Sequence, residues 1–227
     1  MQHYERTHTS DLSASLSCST VAPGISFDSS NSVSCFADDL ANENTAEADL
    51  NTSFIAMIER LLERNEFEAV VAVASDLLSL HPGSLFLNFA LGNAYSNLGS
   101  YVKAADHCRR FLESTPEPRH RSFKIANMAA MQNNLGLALK DMGLLDGAED
   151  VFKALLKSNP NFAPALINYG NLLNDKSRLD EAKTYFLKAI EVAPDDPLAY
   201  WNLHAVSKDI ATARAVLELC LSKDANN

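Results

Sequence analysis

The sequence predicts an all-α protein, an α-solenoid of stacked helix–turn–helix units behind an N-terminal tail of different character. Two observations carry that prediction. Asn134, Gly136, Ala148, Phe152 and Pro160 are matched by Asn168, Gly170, Ala182, Phe186 and Pro194, each offset by 34 residues. Within each unit, apolar residues recur at i, i+3, i+4 and i+7 in two runs, the pattern of two helices with one buried stripe each. In the first of these units Gly143 stands between the runs, where a left-handed turn costs glycine nothing, and Pro160 ends the second helix. One such pair cannot bury its own apolar face, so copies must stack.

The tail comes first. Residues 1–50 hold ten serines, eight acidic residues and one base, Arg6, which places −7 of the net charge of −10 there. Large apolar residues are few and show no sustained period, so the segment does not bury enough surface to offset its ordering entropy. A disordered, acidic, Ser-rich tail is expected, either a plain solvated leader or a regulated, partner-binding arm around Ile25–Asp28 or Cys35-Phe36.

The first unit, about 51–84, has Phe54, Met57, Ile58, Leu61 and Leu62 on one helix, with Thr52 or Ser53 as N-cap. Asn65 takes the turn, and Phe67, Val70, Val71, Ala74, Leu77 and Leu78 line a second helix closed by Pro82. The second unit, about 85–118, carries Leu91-Gly92, Tyr95, Gly99, Tyr101, Ala104, Cys108 and Pro116 in the corresponding slots. Cys108 stands where Phe152 and Phe186 stand later, so it reads as a buried small hydrophobe. An insertion, 119–128, follows. Its Arg119, Arg121 and Lys124, with Arg109 and Arg110 before it, form a basic patch that is either a solvated stretch with an extended helix or a docking point for an acidic segment. Units about 129–162 and 163–196 come next, the latter with Ser177 in the turn as a local weakness. A partial unit, 197–227, begins with Tyr200, Trp201, Asn202 and Leu203, but its second helix (Ala213, Val216, Leu217, Cys220, Leu221) arrives early.

Leu135-Gly136, Gly143, Ala148, Phe152 and Pro160 closely resemble the tetratricopeptide repeat. That resemblance implies that the first helix of each pair lines a concave groove. Asn134, Asn168 and Asn202, 34 apart, then form a ladder similar to that in the repeats of peptide O-GlcNAc transferases. A carboxamide has an acceptor and two donors, matching a peptide unit, and rungs about 8–10 Å apart fit about three residues of extended chain. The same side chains could instead bond neighbouring helices of the array. Asn93 and Asn171 recur one turn on, and Phe89, Ile167 and Trp201 stand beside the ladder as candidate contacts for a ligand's side chains. Lys140 is the only base near these slots, which disfavours the basic clamp that family members use for chaperone C-terminal carboxylates.

Composition narrows the function. A pI near 5.0 disfavours nucleic-acid partners, and no apolar run approaches the length of a membrane span. Four dispersed cysteines make neither a disulfide framework nor a zinc spacing, which suits a reducing, cytoplasmic compartment. No nucleotide, metalloprotease or hydrolase motif is present, so no catalytic residue, metal or cofactor is expected. Acidic pairs such as Glu149-Asp150 and Asp195-Asp196 read as solvated. The expectation is a non-enzymatic protein–protein interaction module or scaffold that holds an extended segment of another protein. Two rivals are the substrate-recruiting half of a transferase whose catalytic domain lies elsewhere, and an assembly unit that self-associates through its C-terminal repeat.

Overall fold

The computed structural model describes residues 52–116, 118–207 and 214. The N-terminal tail and the second helix of the partial unit fall outside the described residues, Arg214 excepted. Helices α1 (Thr52–Glu63) and α2 (Phe67–Leu80) form the first pair, and α3 (Leu85–Asn97) and α4 (Tyr101–Glu113) the second. A 3-10 turn, Pro118–His120, leads into α5 (Arg121–Asp141), which pairs with α6 (Leu145–Ser158). The last described helices are α7 (Ala163–Asp175), α8 (Leu179–Val192) and α9 (Pro197–Ser207). Because α1 already begins at Thr52, neither Thr52 nor Ser53 is its N-cap.

The helices form two layers. Each odd-numbered helix packs on its odd neighbours, while α2, α4, α6 and α8 bridge consecutive members of that first layer. Second-layer helices are amphipathic and bury one narrow stripe: Val70 and Ala74; Ala104, Ala105, Cys108 and Phe111; Ala148, Phe152 and Leu155; Ala182, Phe186 and Ala189. The small-residue slot of the first layer explains the period. A Cβ on Gly136 would sit 2.8 Å from Phe152, and one on Gly170 only 2.4 Å from Phe186. At Gly92 the corresponding neighbour is Cys108, at 3.2 Å. Cys108 is fully buried as expected, its sulfur 4.0 Å from Met131 Sδ, and burial pushes its thiol up to about 12.

All four turns within pairs use the left-handed region: Asn65 (φ 56°), Gly99 (69°), Gly143 (78°) and Ser177 (60°). Ser177 is not left weak. Lys176 and Arg178, on either side of it, reach back to Glu149 on α6, with Nζ–Oε2 2.5 Å and Nη1–Oε1 2.8 Å. Lys153 and the Tyr169 hydroxyl bond the same carboxylate. Glu149 is therefore buried among three cations, contrary to the expectation of a solvated acidic pair. Those hydrogen bonds, from Lys153, Lys176 and Arg178, hold its carboxyl far below the usual range.

The insertion becomes helix. Its residues from 121 onward lengthen α5 to 21 residues. Phe123 from this extension enters an aromatic cluster with Phe86, Phe89 and Phe111, its ring 5.3 Å from that of Phe89. Lys124 donates to the carbonyls of Leu112 and Ser114, so it caps the end of α4.

Candidate functional site: a row of buried amides

The first layer departs from ordinary amphipathic packing. Every residue from Leu85 to Ser96 on α3 is buried, as are those from Asn133 to Leu139 on α5 and Ala165 to Leu173 on α7. A run of seven or more residues passes around the whole circumference of a helix. Within these runs lie Asn88, Asn93, Asn133, Asn134, Asn168 and Asn171, with Asn202 on α9 equally buried.

Asn134 and Asn168 occupy a definite side. Gly136 and Gly170 mark where each helix meets the second layer. An asparagine two residues earlier lies about 160° around the helix from that line. Both asparagines therefore point away from the second layer, yet each is only 1% exposed. Asn168 Nδ2 donates to Asn133 Oδ1 at 3.1 Å, linking α7 to α5. The remaining capacity is unused: both amide atoms of Asn134, Nδ2 of Asn133, Oδ1 of Asn168 and Nδ2 of Asn202 have no hydrogen-bond partner among the described residues. An unmade hydrogen bond on a buried polar atom costs about 1–3 kcal/mol, so such a row asks for a partner. Asn133 was not legible as a member, because its 34-residue successors are Ile167 and Trp201.

Other predicted residues are placed less uniformly. Phe89 and Ile167 are buried, Phe89 within the aromatic cluster. Trp201 is 46% exposed on α9, while its neighbour Asn202 is buried. Lys140 is held by Asp141 at 2.7 Å and Asp175 at 3.4 Å. The basic patch is not one surface: Lys124 is a helix cap, and Arg110 pairs with Asp106 at 3.0 Å. Arg109 and Arg121 are exposed. The side chain of Arg119 lies outside the described residues. Among the described residues no group of three or more His, Cys, Asp or Glu is placed to hold a metal ion, and no helix is long and apolar enough to cross a membrane.

Comparison with known proteins agrees with this fold. The family model described as tetratricopeptide repeat matches residues 139–206. Over residues 139–206 the chain matches the tetratricopeptide repeat, and the helix pairs before them have the same two-layer arrangement. MamA from Desulfovibrio magneticus RS-1 superposes with a TM-score of 0.58 at 20% identity, over 75% of this chain and 95% of that one. YrrB, described as a TPR protein with an unusual peptide-binding site, gives 0.51 at 22% identity, over 73% and 80%. Among curated proteins, the repeats are similar to the RNA polymerase-associated protein CTR9 of Caenorhabditis elegans (24% identity over 172 residues, 68% of this chain). They are also similar to the human protein O-mannosyl-transferase TMTC2 (32% over 106 residues, 47% of this chain). The chain spans only 15% and 12% of those two relatives.

Proposed function

We propose that these repeats are a protein-interaction module that holds an extended segment of another protein along the first layer, through the side-chain amides of Asn134, Asn168 and Asn202. The observation that carries this reading is the run of unpaired amide atoms on the side of the layer turned away from the second-layer helices. Amide rungs recognise any peptide backbone, so they supply affinity without sequence preference. Three of them contribute about 2–4 kcal/mol, which alone reaches only millimolar affinity. Asn93 and Asn171 would flank the row, and half-exposed Trp201 would add side-chain preference at the far end, whereas Phe89 and Ile167 are buried toward the second layer, against Phe111 and in a cluster with Ala189. The peptide-binding site described for YrrB supports this use of the fold.

A displayed library of random 12-residue peptides, panned on the chain, tests the reading. Asn134→Ala is expected to weaken all selected peptides alike, by about three- to tenfold. Trp201→Ala is expected to weaken only some. Selected peptides whose affinity ignores Asn134 would overturn it.

A second reading has one observation in its favour: two similar proteins, TMTC1 and TMTC2, are named O-mannosyl-transferases. On that reading the groove presents a substrate segment to a catalytic domain elsewhere. Co-purification of glycosyl-transfer activity with the native protein would favour it.

A further inference from the structure

The row of amides has an acidic neighbour at its α1 end. Asn93, which flanks the row on α3, has Glu59 as its counterpart 34 residues earlier on α1, and Asn171 two units later once the ten inserted residues are counted. Ile58 stands in the slot that Gly92, Gly136 and Gly170 hold later, and it is fully buried. Glu59, one residue on, is turned about 100° from the line that meets the second layer and lies about 60° from the line of the row. Its Oε1 is buried and has no hydrogen-bond partner among the described residues. The bases of its own unit are used elsewhere: Arg60 Nε donates to the Ala56 carbonyl at 3.1 Å, and Arg64 lies 3.9 Å from Glu66. Neither α2 nor α3, which pack on α1, carries a lysine or arginine; the charged residues of α2 are Glu68 and Asp76, and α3 has none. Burial, and then Glu63 one turn on, push the Glu59 carboxyl up to about 7.

We propose that Glu59 is a specificity-determining residue of the groove and receives a lysine or arginine side chain of the bound segment at the α1 end. The inference rests on the groove reading above and adds a sequence preference that the amide rungs do not supply, at the end opposite Trp201. A carboxylate held out of water without a partner is costly, and a cation seated on it removes that cost. Arginine would place two parallel N–H donors on the carboxylate, whereas an acidic residue at the same place would meet Glu59 and Glu63 with like charge. From α1 to α5 is two helix spacings, about 18 Å, so the basic residue falls roughly five or six extended residues from the one on Asn134.

The test pans the random 12-residue library at about pH 8, where the carboxyl is ionised, on the full wild-type chain and on Glu59→Gln in parallel. Glu59→Gln keeps the shape of the side chain and removes an unpaired charge, so its circular dichroism is expected to match wild type. Peptides selected on the wild-type chain are expected to carry Lys or Arg near one end, and those selected on the variant are not. Selected peptides are then made with acetylated N-termini and amidated C-termini. Changing their basic residue to Gln is expected to weaken binding to the wild-type chain about tenfold and to leave binding to Glu59→Gln unchanged. Wild-type selections without that enrichment would overturn the inference, as would an equal loss on both chains. Loss of binding on acetylation alone would also overturn it, since the cation would then be the peptide's own N-terminal ammonium. In each of these cases affinities that still fall with Asn134→Ala leave the groove reading intact. Peptides bound without regard to Asn134 overturn the groove reading, and this inference with it.

Discussion

The two layers of this solenoid obey different rules. Second-layer helices such as α6 and α8 bury a stripe and leave the rest to solvent, so their stability comes from that stripe and from ion pairs at its edge. First-layer helices are buried all round over long runs, Leu85 to Ser96 on α3, Asn133 to Leu139 on α5 and Ala165 to Leu173 on α7, and place amides there where an ordinary core helix has aliphatic residues. The contrast teaches that polarity in the second layer faces solvent or the ion cluster at the edge of the stripe, whereas the first layer buries amides, of which Asn134 has no hydrogen-bond partner among the described residues.

The largest expected effects come from the seam between layers. Gly170→Ala drives a Cβ to 2.4 Å from the Phe186 ring, whereas Gly92→Ala meets Cys108 at 3.2 Å. Overpacking costs about 1–3 kcal/mol, and replacing a helical glycine returns up to ~1 kcal/mol. Gly170→Ala is therefore expected to lose about 2 kcal/mol in urea denaturation and Gly92→Ala to stay near wild type. Equal effects would show that the seam does not differ between units.

Next comes the ion cluster that ties α6 to the Ser177 turn. Glu149→Gln is expected to cost about 1–3 kcal/mol, since it leaves three cations around a neutral amide. The carboxyl of Glu149 is depressed in the folded state, so its contribution is complete above the unfolded carboxylate range and is lost as pH falls below it. Glu59 on α1 has the opposite sign: burial and neighbouring Glu63 push its carboxyl up to about 7. Its cost at neutral pH is relieved as pH drops from about 7 toward the ordinary carboxyl value of 4.5. Thermal midpoints are thus expected to rise slightly from neutral toward pH 5 and then fall. Glu149→Gln should flatten the acid limb, and Glu59→Gln the gain above it.

The smallest effect is Ser177→Gly. Relief of the left-handed serine is offset by the greater freedom of unfolded glycine, so a gain of at most about 1 kcal/mol is expected, read as a small rise in thermal midpoint. A clear loss would show that the serine side chain, and not only its flanking Lys176 and Arg178, secures the turn.

Much of this was legible because the fold is periodic. The turn residues Asn65 and Ser177 could be assigned without glycine, because they fall midway between two apolar stripes and both have left-handed φ. The asparagine row could be found because it recurs in step with Gly136 and Gly170. What escaped lacked a period. Glu149 looks like any surface acid until the next unit's turn brings Lys176 and Arg178 to it, about 30 residues later in the chain. Lys124 reads as patch charge because its role depends on where α5 starts relative to the end of α4, a spacing that the insertion sets anew. Asn133 occurs once, and only the bond from Asn168 reveals it.

Asn134 offers the most direct test of the difference between layers, since neither of its amide atoms has a partner among the described residues. Thermal melting of Asn134→Ala, measured beside its affinity for peptides selected on the wild-type chain, separates a binding amide from a structural one. The account predicts a midpoint close to wild type and affinities about three- to tenfold weaker across all peptides. Early melting with affinities unchanged would contradict it.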